Sequence, residues 1–207
     1  MDSKSKNGRS PLHTACLHGH LRAVQLMLSC QSQPLAYLSQ RDSCGATPIM
    51  DAVRGGHQDL VDYLAQLCPG SLETLDVMSR NCLHTAAHSG HTGLIKHLVT
   101  EHCMDPNGSS STTPLHWAAK EGQCGAIKVL LELGANPEKC DASGRTPVAL
   151  AIGGQHVEST RILIAHNSLT PFDTRLLDLA RTDAMKKCLV EAFLNLWNIV
   201  LFLPGTH

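Results

Sequence analysis

The sequence predicts an all-α chain built from stacked helix-turn-helix repeats, and three observations carry that prediction. The first is self-similarity: SPLHTACLHGH begins at Ser10, TPIMDAVRGGH at Thr47, NCLHTAAHSGH at Asn81, TPLHWAAKEGQ at Thr113 and TPVALAIGGQH at Thr146. Successive starts, at residues 10, 47, 81, 113 and 146, lie 37, 34, 32 and 33 residues apart. The second is an apolar set at helical spacing after every block, such as Val24, Met27 and Leu28 or Ile127, Leu130 and Leu131. The third is an aromatic content of only 3%, too low for a large sandwich or a stacking platform.

Each block spells out one element. Thr at its head suits a helix N-cap, and Pro is tolerated next because that N–H lacks an intrahelical partner anyway. Ala15, Ala52, Ala86, Ala118 and Ala151 let paired helices approach closely. Gly19, Gly56, Gly90 and Gly122 fall at the reversal between helices, where a positive φ is needed. Gln155 takes that place in the fifth block, which predicts a shifted helix end. Turn signals such as RDSCGAT (41–47) and CDASGRT (140–146) precede several blocks; the third carries Ser79 in place of the turn Gly.

The first repeat is long, and QSQPLAYL (31–38) predicts a protruding loop after its second helix. NGSSST (107–112) reads as a polar hairpin tip. RLLDLARTDAMKKCLVEAF (175–193) reads as a degenerate sixth unit, with Asp178 and Ala180 in place of the repeated His and Ala. The predicted organisation is a tail over 1–4, an array over 5–166, a degenerate repeat or cap over 167–193 and an apolar tail over 194–207. The stretch Leu189–Leu203 is shorter than the roughly 20 apolar residues of a span and contains Glu191, Asn195 and Asn198. It is expected to dock as a helix on the last repeat or on a partner.

The TPLH signature, the inter-helix Gly and the period near 33 resemble the ankyrin repeat. The resemblance covers residues 5–166 in five copies and implies an ankyrin-repeat solenoid with five clear repeats, β-hairpin-like tips and a C-terminal cap. It also implies a non-catalytic adaptor that holds a partner protein on a concave face, cytoplasmic or nuclear and monomeric. The repeat wording further resembles ankyrin proteins associated with alanyl-tRNA synthetase, which accept misactivated serine on lysine side chains. That synthetase is the partner the resemblance suggests, and a ubiquitin-ligase substrate receptor is the other reading. The first repeat begins at full motif strength without a polar cap, as expected of the later repeats of a longer array.

A formal net charge of -1 gives no general pull toward nucleic acid or anionic membrane. The nine Cys contain no CxxC pair, and the N-terminus lacks an apolar signal region, so they read as reduced, mostly buried residues of an intracellular protein. Thirteen His invite a metal reading, notably His13, His18 and His20 around Cys16, and His84, His88 and His91. The repeat itself accounts for seven: His13, His84 and His116 in the TPLH slot, and His20, His57, His91 and His156 at the Gly-His step. No metal or cofactor is therefore expected. No GxSxG, GxxxxGK[ST], GxGxxG or HExxH occurs, and Asp51, read as replacing the TPLH His of repeat two, is a lone acid.

The resemblance assigns partner binding to positions the repeat leaves free. At the tips these are Arg41, Ser43, Met78, Arg80 and Arg145; on the inner helices they are Arg54, His88, Trp117, Lys120 and Glu121. Basic side chains outnumber acidic ones in this set, which predicts a carboxylate-rich partner surface. Trp117 is expected either as an interface anchor or packed against the neighbouring repeat.

Overall fold

A computed structural model describes residues 5–166 and 175–201. The expected tail over 1–4, and the parts of the cap and apolar tail at 167–174 and 202–207, lie outside the described residues. Among the described residues the chain forms thirteen α-helices, one short 3-10 turn and no strand. It divides into two compact units, Met1–Met104 and Asp105–His207.

The first unit holds three helix pairs: α1 (Pro11–Leu17) with α2 (Leu21–Ser29), α4 (Pro48–Gly55) with α5 (Gln58–Leu67), and α6 (Cys82–Ser89) with α7 (Thr92–Thr100). First helices stack on one another, α1 on α4 and α4 on α6. Leu12, Ile49, Ala52, Leu83 and Ala86 fill their seam, and Val24, Val61 and Ile95 the layer beneath the second helices. The residues expected to protrude as a loop instead form α3 (Pro34–Leu38), which packs on α2 and buries Tyr37 and Leu38. Pro34 starts this helix, residues 31–36 remain exposed, and burial of the two large side chains holds α3 in place.

The second unit repeats the scheme with α8 (Pro114–Lys120) and α9 (Cys124–Glu132), then α10 (Pro147–Gly153) and α11 (Val157–His166). It continues through α12 (Arg175–Leu179) and α13 (Asp183–Leu201). α12 packs on α10, and α13 on α11. Met185 and Leu189 of α13 join Ile152 and Ala180 in one apolar cluster, flanked by Val148, Val157, Ile164 and Leu176. The degenerate unit thus covers the apolar face left open by the fifth repeat, and α13 runs on into the expected tail.

A histidine grammar ties neighbouring repeats together. His13 and His116 each accept the N-cap N–H at Nδ1, from Ser10 at 3.3 Å and Thr113 at 3.2 Å. Their Nε2–H groups donate forward to the carbonyl just before the next helix, Ala46 at 3.1 Å and Arg145 at 3.0 Å. Burial holds the His116 imidazole below its usual range, so the ring stays neutral and keeps the Nδ1 lone pair this bond needs. A second set points backward: Nε2–H of His57, His91 and His156 donates to the carbonyls of Leu17, Arg54 and Lys120 at 3.0, 2.9 and 3.0 Å. Such bonds satisfy helix-end carbonyls that have no partner within their own helix.

Counting from the N-cap corrects the reading of repeat two. Thr47 caps α4, so the slot of His13 and His116 is held by Met50, and Asp51 aligns with Thr14, Thr85 and Trp117. Methionine offers no nitrogen there, and the buried Thr47 Oγ1 has no hydrogen-bond partner. Gln155 adopts φ +60° where Gly19 and Gly122 take +70° and +69°, and α10 ends at the same distance from its N-cap as α1 and α8, so the expected shift of the helix end does not occur. The Gln155 amide compensates: Nε2 donates to Ile152 and Leu179 carbonyls, while Oε1 accepts from the N–H groups of Arg181 and Thr182.

Candidate partner-binding surface

The turns between repeats are built on aspartate. Asp141 Oδ1 accepts from the N–H groups of Ser143 and Arg145 at 2.8 and 2.9 Å. Asp76 does the same for Met78 and Arg80 at 2.8 and 3.0 Å, and Asp42 for Cys44 and Ala46, both at 2.9 Å. This is the side-chain-to-backbone geometry that aspartate supplies in turns. Ser79 takes φ +58° at the point where Gly45 and Gly144 take +75° and +73°.

These aspartates alter the electrostatics expected of the surface. Arg80 Nε donates to Asp76 Oδ2 at 2.8 Å, and Arg145 Nε to Asp141 Oδ2 at 3.0 Å. On the inner helices, buried Asp51 Oδ1 receives Arg9 at 2.6 Å and Arg54 at 2.9 Å. Burial pushes the Asp51 carboxyl up, and the two guanidinium groups oppose that shift. Arg41 spends its charge on carbonyls, those of Gly45 at 3.1 Å and Leu75 at 2.5 Å, and so bridges two adjacent tips. The basic excess counted from the sequence is therefore reduced, because Arg54, Arg80 and Arg145 were counted without the aspartates they grip. A carboxylate-rich partner loses its main support.

The other sites fall as follows. In the first unit, Ser43 is exposed at a tip, Met78 is 51% exposed, and His88 is half-buried near the end of α6. In the second unit, Lys120 and Glu121 are exposed at the end of α8. Trp117 is only 7% exposed, and Lys120 Nζ lies 4.9 Å from its ring centroid. Missed in the sequence were Leu75 and Val77, 40% and 72% exposed beside Met78. Their signal was available: the third tip reads LDVMSR where the others read RDSCGA and CDASGR.

The cysteines need a further correction. All nine are free, as expected, but only Cys16, Cys82 and Cys188 are buried; Cys30, Cys44, Cys103 and Cys140 are exposed. The exposed four lie at helix ends and tips, outside the apolar repeat positions. Among the described residues no helix is long and apolar enough to cross a membrane.

Comparison with known proteins agrees with the geometry. The family model for ankyrin repeats (3 copies) matches residues 1–76 and 66–141. The chain is similar to Ankyrin repeat and KH domain-containing protein mask-1 of Caenorhabditis elegans, 25% identical over 188 residues, covering 88% of this chain and 7% of the relative. It is 29% identical over 170 residues to Probable E3 ubiquitin-protein ligase XBOS33 of Oryza sativa subsp. japonica, with 61% of this chain and 32% of the relative covered. Rabankyrin-5 of Homo sapiens is 28% identical over 138 residues, with coverage of 65% and 12%. The chain thus spans a third or less of the length of these relatives. With both its family model and its histidine-stapled helix pairs matching, the chain belongs to the ankyrin-repeat family.

Proposed function

We propose that this chain is a non-catalytic adaptor that grips a partner protein with the tips and inner helices of its repeats. The observation that carries the reading is the third tip, where Leu75, Val77 and Met78 stand exposed on a turn fixed by Asp76 and Arg80. An exposed apolar trio on a rigid support is suited to interface contact, because little side-chain or loop ordering opposes binding. In the first unit Ser43 and His88 add polar specificity positions, and in the second unit Lys120, Glu121 and Arg145 are the polar candidates.

The repeat wording resembles ankyrin repeat domain-containing protein 16, and alanyl-tRNA synthetase is the client we infer from that likeness. The substrate-receptor alternative draws on the ligase in the name of the rice relative. Purified synthetase passed over the immobilised chain, beside a Val77→Asp/Met78→Asp variant, tests both client and surface. Retention by the wild type and at least tenfold weaker retention by the variant supports the proposal. Absence of retention rejects this client, and equal retention rejects this surface. Mass spectrometry after incubation with synthetase, ATP and serine separates an acceptor from a plain adaptor: seryl adducts on lysine, with Lys120 and Lys128 the repeat-borne candidates, mark the former.

A further inference from the structure

Two of the histidines outside the repeat grammar meet in the first unit. His97 on α7 and His102 just beyond it both point their Nε2 at one carboxylate oxygen, Oδ1 of Asp62 on α5, at 2.7 and 2.8 Å. The two rings stand edge to face, with centroids 5.3 Å apart and planes at 77°. One atom from each residue can be chosen so that all three lie within 4.8 Å of one another. The site is accessible, since the side chains of His97, His102 and Asp62 are 18%, 23% and 31% exposed.

We propose that Asp62, His97 and His102 form a binding site for a divalent transition metal of the zinc class. Two imidazole nitrogens and one carboxylate oxygen are ligands that zinc accepts, and three protein ligands leave a position for water or a fourth donor. Ligand atoms around tetrahedral zinc stand about 3.4 Å apart, so the present contacts need to open by roughly 0.6 Å. Side chains this exposed can make that movement without disturbing the core. Gln58 supplies an outer support: its amide nitrogen lies 3.2 Å from His97 Nδ1. Turned over, the amide offers Oε1 to an Nδ1–H and leaves the Nε2 lone pair for the metal. Binding staples the second helices of repeats two and three.

The test is titration of the full chain with Zn2+, read by competition with a chromophoric chelator and by the imidazole proton resonances. One equivalent is expected to bind and to shift the His97 and His102 resonances before those of the other histidines. Asp62→Asn and His97→Ala are each expected to weaken binding at least tenfold, and Gln58→Ala about tenfold with the stoichiometry kept. Circular dichroism in chelator reports whether each variant folds, and His102→Gln replaces any that does not. Zinc that leaves the two imidazole resonances in place, or an affinity unchanged in Asp62→Asn and His102→Gln, overturns the site and assigns the metal to the exposed thiols.

Discussion

His156 lies so close beneath Gly122 that a methyl group added to the glycine would stand 2.5 Å from its Nδ1. The ring cannot simply retreat, because its Nε2–H is committed to the Lys120 carbonyl at 3.0 Å. Gly122 also holds φ +69°, a conformation that costs an alanine about 1–2 kcal/mol. Gly134, at φ +90°, has nothing within 4 Å of such a methyl group and isolates the backbone part. We expect Gly122→Ala to destabilise by at least about 1 kcal/mol more than Gly134→Ala in urea titrations. Adding His156→Ala to Gly122→Ala removes the clash, so the two changes should couple rather than add. Simple additivity would refute the packing of ring against turn.

Repeat two offers the opposite experiment. Met50→His restores a nitrogen beside the unpartnered Thr47 hydroxyl and places an Nε2–H toward the Arg80 carbonyl, the counterpart of Ala46 and Arg145. We expect stabilisation of about 1 kcal/mol, the gain from two hydrogen bonds less some lost methionine packing. A variant no more stable than wild type would show that packing outweighs the grammar at this position.

Asp141 should give acid sensitivity with a defined sign. Burial raises its carboxyl, but the backbone and side-chain hydrogen bonds of Arg145 and the Ser143 N–H hold it below 3.8 overall. Its contribution is therefore fully present above pH 3.8 and is lost as pH falls below that value. Asp141→Asn should cost about 1 kcal/mol at neutral pH, modest because Arg145 is 57% exposed, and the gap from wild type should close in acid. Stability curves measured between neutrality and strong acid decide it.

Thiol reactivity should follow burial. Burial foremost, with Asp51 adding to it, pushes the Cys16 thiol up to about 12, and burial does the same in direction for Cys82. At pH 8 roughly one Cys16 in 10,000 is then thiolate, before access is considered. Brief iodoacetamide treatment of the native chain should label Cys30, Cys44, Cys103 and Cys140 and spare Cys16 and Cys82, as read by peptide mass spectrometry. Early labelling of Cys16 would contradict its burial.

What the sequence made legible was whatever the backbone dictates at a fixed period. Ser10, Pro11, His13, Ala15 and Gly19 recur because a helix start, a close approach and a reversal each admit few side chains. Asp51 misled because a one-residue slip moves a side chain from the capping slot to the inner face, and only the position of the Thr47 cap fixes the register. The arginines were visible as charges, but their partners Asp51 and Asp76 were visible only as turn and helix residues. Asp62, His97 and His102 escaped altogether, since they come from two second helices and a turn, with no local spacing to announce them.

The last expectation concerns the degenerate sixth unit. Leu189 is fully buried on α13 against Ile152, Ala180 and Met185, whereas Leu194 on the same helix is 55% exposed. Leu189→Ala removes a leucine side chain from a packed cluster and should cost about 3 kcal/mol, while Leu194→Ala should fall within about 0.5 kcal/mol of wild type. Because α13 packs on α11 and α12 on α10, amide exchange in α10 and α11 should accelerate in the first variant. Truncation after Lys187 removes Cys188 and Leu189 together and should reproduce the effect. If exchange in α10 and α11 were unchanged in both, the helix would be an appendage, and the fifth repeat would hold its apolar face without it.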